Sequence, residues 1–156
     1  MWLLVGRCGQ QGAFNLDYIY LITPFVAWLL AGSLKFLINS IRAKKLAFGL
    51  IGYGGMPSNH SAIVSSVAAI IAFKEGIEHP AFGVAIALAF IVLLDASSLR
   101  RQVGKHAEAI NALQTNPNAP VLRERMGHTK AEILGGILTG TLTAYILFEG
   151  FSFYSL

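Results

Sequence analysis

The sequence predicts an all-α integral membrane protein, a bundle of about four transmembrane helices with a short interfacial helix. Three observations carry this. Hydrophobic residues make up 54% of the chain and charged residues 13%, against roughly 25% charged in an average soluble domain. The apolar residues gather into four segments, which leave too little polar chain among 156 residues to cover them. The basic residues crowd the ends of those segments on one side, the bias that orients helices in a bilayer.

The elements follow in chain order. "MWLLVGRCGQQGAFNL" has no basic start and only a short apolar run, so residues 1–16 read as a leader or interfacial segment rather than a cleavable signal. Residues 17–156 form the membrane domain. Its first apolar segment runs from Tyr18 to Ile41 with one charge, Lys35. The second follows "PSNH" from Ser61 to Phe73, the third spans Pro80 to Leu99 and carries Asp95, and the fourth covers Glu132 to Phe148. The uncharged core of each is shorter than the ~20 residues of a typical span. Any one alone would suit a buried helix of a soluble protein; four together do not. No strand alternation, repeat or low-complexity stretch competes. After the third segment, "RRQVGKHAEAINALQ" sets Val103, Ala107, Ile110 and Gln114 at helical spacing, a weak apolar stripe suited to the interfacial helix. The single Cys8 excludes a disulfide within the chain.

Four antiparallel spans bring the end of the first, the start of the second, the end of the third and the start of the fourth to one membrane face. Ten of the twelve basic residues then lie there, with Arg7 and Lys74 on the other side. Nucleic acid is not the partner, because these cations lie between apolar segments rather than along a soluble face. Two readings of the bias remain open. Loop charge alone orients the helices, whereas an anion site needs cations at fixed spacing on helix ends, beside groups that move protons.

Several residues meet the second requirement. Lys35 and Arg42 are two helical turns apart on nearly one face, and Lys35 lies inside an apolar segment, where a charge is costly and a functional reading is the default. A lysine snorkelling to the interface is the bland alternative. In "MPSNHSA", Pro57 suits a turn or first helical position, and Ser58 or Asn59 can cap the helix behind it. The free N–H groups of that helix start suit an anion, and His60 adds a group titrating near neutrality. In "GHTKAEILGGILTG", His128 and Glu132 are one turn apart, so the carboxylate can hold the imidazole Nδ1–H and leave Nε2 as nucleophile or base. Gly135, Gly136 and Gly140 give a small face, the last two in the G-x-x-x-G spacing of close helix pairs. Cations, two histidines and a helix start on one face suit a phosphoryl group, one histidine attacking and the other protonating the leaving oxygen. This set requires no metal and no other cofactor.

The pattern resembles the type 2 phosphatidic acid phosphatase superfamily, which includes lipid phosphatases and vanadium haloperoxidases, and more closely its small divergent membrane branch. The superfamily signature is K-x6-R-P, then P-S-G-H, then S-R-x5-H-x3-D. Lys35-x6-Arg42 matches the first part with Ala43 for proline, and Pro57-Ser58-Asn59-His60 matches the second with Asn59 for glycine. His128-x3-Glu132 matches the end of the third with glutamate for aspartate. Leu122 stands where the third part has arginine. Arg100 does precede His106 at the right distance, but Ile110 stands where that histidine's acid should be. The third part therefore reads as split by an insertion, with Arg100 or Arg101 supplying the guanidinium and His106 lying at the interface.

The resemblance implies a metal-independent phosphatase acting on a lipid phosphomonoester. His128 is then the nucleophile, Glu132 its orienting acid and His60 the acid/base. Lys35, Arg42, Ser58, Asn59 and one of Arg100 and Arg101 hold the phosphate. Asp95 has no place in the signature and would pair with Lys35 or an arginine, or simply neutralise charge. Phosphatidylglycerophosphate is the preferred substrate, carried over from the branch. The expected partners are that lipid and the bilayer, with a homodimer allowed by the small-residue fourth helix. The expected setting is a bacterial cytoplasmic membrane with the active site on the cytoplasmic side. The rival is a membrane anion binder or transporter with an eroded phosphatase site; a vanadate-dependent oxidase is more distant.

Overall fold

The computed structural model describes residues 18–44, 46, 55–116 and 118–154. The expected leader, including Arg7 and Cys8, and the loop cation Lys45 lie outside the described residues. All regular structure among the described residues is helical. Helix α1 spans Ile19–Ala43, α2 Asn59–Glu75, α3 Pro80–Leu94, α4 Arg100–Leu113 and α5 Lys130–Tyr154. A π-helical segment, Asp95–Leu99, joins α3 to α4 without a break.

Three helical stretches are long and apolar enough to cross a membrane: Ile19–Ala43, the continuous Pro80–Leu113, and Lys130–Phe151. The protein is a membrane helical bundle, and α2 is its shorter fourth helix. At 17 residues, α2 rises about 25 Å, a little less than the ~30 Å hydrocarbon layer. It lies at the centre, packed on α1, α3 and α5. That position explains its composition: with protein on three sides, α2 can carry Ser61 and Ser66 in buried positions. Their hydroxyls are satisfied locally, Ser61 Oγ donating to Ser58 Oγ at 2.9 Å and Ser66 Oγ to the Ile63 carbonyl at 2.8 Å.

The core is built from small residues. Ala27 and Ala31 of α1, Ala62 and Ala68 of α2, Ala85 and Ala89 of α3, and Ala144 of α5 are buried, whereas Phe25, Trp28, Leu88, Phe90 and Leu138 face outward. In lipid, large apolar side chains gain nothing by turning inward, so helices associate through small residues that let backbones approach. The closest approach is α5 on α2. A Cβ at Gly140 would collide with the Ala62 carbonyl oxygen, and one at Gly136 would collide with that of Ser58 and stand 2.7 Å from Ser61 Cβ. The small face of the fourth span is thus used inside the bundle.

Local signals set the helix ends. Ser58 Oγ caps α2 by accepting from Ser61 N at 3.3 Å, and His79 Nδ1 caps α3 by accepting from Ala81 N at 3.2 Å with Pro80 in the first turn. Gly76, at φ 86, ends α2 and permits the tight connection to α3. At this end of the bundle Tyr20 donates its hydroxyl proton to Glu75, and the Lys74 ammonium stands 5.1 Å from the Tyr20 ring centroid. The ends of α1 and α3 and the starts of α2 and α5 meet at the opposite face.

Candidate functional site

The site is assembled from four chain segments tied by backbone hydrogen bonds. Ser58 N donates to the Glu132 carbonyl at 2.9 Å, pinning the start of α2 to the start of α5. His128 N donates to the Ala96 carbonyl at 2.9 Å, pinning the approach to α5 onto the π-helical segment. Gly127, at φ 85, makes the turn before His128. A Cβ there would be strained and would sit 2.9 Å from Arg101 Cγ.

His128 is 8% exposed, and its Nδ1 lies 3.3 Å from Glu132 Oε2. The same oxygen accepts from Thr129 N at 2.9 Å, while Glu132 N donates to Thr129 Oγ1 at 3.2 Å. Thr129 and Glu132 therefore form a reciprocal capping box at the start of α5. Burial, and then the positive charge of Lys35, hold the His128 pKa below its ordinary value, with Glu132 opposing them. The neutral imidazole is thus favoured. With its proton on Nδ1, that imidazole donates to the carboxylate and keeps a lone pair on Nε2.

The His60 and His128 rings lie side by side with centroids 5.9 Å apart and planes tilted by 52°. Lys35 and Arg100 lie within electrostatic reach of both histidines, and Asp95 within reach of His60. Arg100 is held by Asp95, Nε to Oδ2, at 2.9 Å. Residues five apart do not meet on an α-helix; the wider π-helical turn brings this pair together. Asn59 Oδ1 and His60 Nδ1 are buried without a hydrogen-bond partner among the described residues. Buried polar atoms of this kind are uncommon and ask for a reason.

The structure thus gathers His60, His128, Glu132, Lys35, Arg100, Asp95, Ser58 and Asn59. Arg42 is exposed two turns beyond Lys35, and Arg101 is exposed beside Gly127. Of the two candidate arginines, Arg100 turns to the cluster. His106 is exposed on α4.

A profile described as the divergent PAP2 family matches residues 16–143. This chain belongs to the divergent PAP2 family. A relative, the uncharacterized membrane protein YuiD of Bacillus subtilis (strain 168), is 32% identical over 145 residues, covering 81% of this chain and 92% of its own length. No solved structure matches the chain.

In this divergent PAP2 protein two parts of the site go beyond the sequence reading. The capping box has the legible signature T-x-x-E, Thr129 to Glu132. The π-helical segment has no such signature, yet it selects Arg100 and frees a carbonyl for His128.

Proposed function

We propose that this divergent PAP2 membrane protein is a lipid phosphomonoesterase that works through a phosphohistidine. The observation that carries the reading is the His60–His128 pair, 5.9 Å apart between ring centroids, with Glu132 behind His128 and two cations beside it.

His128 Nε2 attacks phosphorus while the bond from phosphorus to the head-group oxygen breaks. His60 gives its proton to that departing oxygen. In the second half His60 takes a proton from water, the water oxygen attacks phosphorus, and the P–N bond breaks to release phosphate and free His128. Glu132 holds the His128 tautomer throughout. Lys35 and Arg100 meet the charge that spreads over the phosphoryl oxygens. Ser58 ends the loop before α2, and the N–H groups of Asn59 and His60 are open to an anion at that helix start.

The preferred substrate is phosphatidylglycerophosphate or a related lipid phosphate. The setting is a bacterial cytoplasmic membrane with the site on the cytoplasmic side, as the basic bias directs. The test is phosphate release from a panel of lipid phosphomonoesters by detergent-purified protein. Release that is lost in His60→Ala and His128→Ala supports the reading. No release from any of them overturns it in favour of an anion binder.

A further inference from the structure

The site histidine sits at the end of a long connection, residues 114–129, yet it is buried. The connection is not loose, because residues 122–128 run antiparallel along one stripe of α4. At the outer end Asn111 uses both atoms of its amide on the main chain of Leu122. Its Oδ1 accepts from Leu122 N at 2.9 Å and its Nδ2 donates to the Leu122 carbonyl at 2.8 Å, and also to Glu124 Oε1 at 2.8 Å. Seven residues back along α4, buried Gly104 lets the Glu124 carbonyl lie where a Cβ would be, with Met126 Cβ at 3.5 Å from that point. Next, Gly127 packs on the Arg101 backbone. Finally His128 N reaches the Ala96 carbonyl. Asn111, Ala107, Gly104 and Arg101 share one helical face, and Gly104 and Ala107 are the buried residues of α4.

We propose that Asn111 is a positioning residue for His128, acting through this strap. Asn111 clamps the strap with three hydrogen bonds, two of them to the Leu122 main chain and one to the Glu124 carboxylate. A segment pinned at 122 and at 128 leaves the imidazole at its end little freedom to move against Glu132. The long separation between Arg100 and His128 is then not a spacer but the frame that carries the nucleophile. The inference rests on the reading of His128 as nucleophile, and its test separates the two.

Asn111→Ala is compared with Asn111→Cys/Leu122→Cys in a Cys8→Ser background, reduced and oxidised. Carbethoxylation of His128 and His60 by diethyl pyrocarbonate is followed by mass spectrometry, with turnover of a lipid phosphomonoester alongside. In Asn111→Ala, His128 should react at least about tenfold faster as the strap opens locally, with His60 little changed. Its kcat should fall by roughly 10–100-fold with KM nearly constant, the signature of a misplaced reacting group. The reduced cysteine pair should match Asn111→Ala, and the oxidised pair should regain wild-type protection and kcat. Unchanged His128 protection in Asn111→Ala overturns the proposal. So does equal opening of His60 and His128, or an oxidised pair whose His128 stays as reactive as in Asn111→Ala. If the wild type hydrolyses no lipid phosphate, the phosphatase reading falls, while His128 protection still decides the strap.

Discussion

Glu132 Oε2 stands 3.3 Å from His128 Nδ1 and 2.9 Å from Thr129 N. One carboxylate oxygen thus caps α5 and orients the imidazole. Glu132→Gln separates the two jobs, because glutamine also serves in a capping box. It should leave thermal stability near wild type while lowering kcat, since the negative charge behind the imidazolium-like transition state is gone. Glu132→Ala should lose both, with the cap costing about 1 kcal/mol and kcat falling by roughly 10²–10⁴-fold. Thermal melts beside steady-state kinetics check this; a glutamine variant with full kcat would remove Glu132 from the chemistry.

The pH dependence has a definite sign. Burial and Lys35 hold the His128 pKa below its ordinary value, and the proposed role of His128 as nucleophile requires it neutral. Activity is therefore present above that lowered pKa and is lost as pH falls through it. The acidic limb of kcat/KM, which reports the free enzyme, should lie below the usual histidine range. Lys35→Met removes a positive charge and should move the limb to higher pH. Glu132→Gln removes the opposing negative charge and should move it lower. Limbs that shift the other way would contradict the arrangement.

The α2–α5 contact is predicted to be intolerant of even a methyl group. Gly140→Ala and Gly136→Ala each force a Cβ against a main-chain carbonyl, and such overpacking costs about 1–3 kcal/mol. Gly83 of α3 meets nothing within 4 Å, so Gly83→Ala is the matched control. It should be neutral or stabilising by about 0.5–1 kcal/mol through helix propensity. Unfolding midpoints in mixed detergent micelles distinguish the three.

Arg100 and Arg101 are neighbours in sequence with different surroundings. Arg100→Ala should lower kcat/KM far more than Arg101→Ala. Asp95→Asn should have a small effect on stability, because the pair is more than a third exposed and such bridges contribute under about 1 kcal/mol. It should instead raise KM by releasing the Arg100 side chain. Equal losses at the two arginines would contradict the π-helical placement.

Much of this arrangement was legible in the residues. Hydropathy located the spans, and the Lys35 position and the His128–Glu132 spacing each named members of the cluster. α2 was harder to read, because a helix enclosed by three others needs neither full length nor continuous hydrophobicity. The choice between Arg100 and Arg101 was not legible. A π-helical turn adds a residue to the ladder, so the α-helical phase of α3 does not carry through to α4. The tie between Ala96 and His128 was equally hidden, since it closes a long separation through a backbone carbonyl. The glycines were read correctly as a close-packing face, and their partner proved to be α2 within the same chain.

The central claim is that His128 becomes phosphorylated, and it can be tested by trapping. With p-nitrophenyl phosphate the departing phenolate needs no proton, so His60→Ala should block chiefly the second step and let the phosphoenzyme accumulate. Rapid quenching at alkaline pH followed by mass spectrometry should find one phosphoryl group on His128. A phosphoryl group on His106 instead, or phosphate release with no modified histidine, would contradict the account.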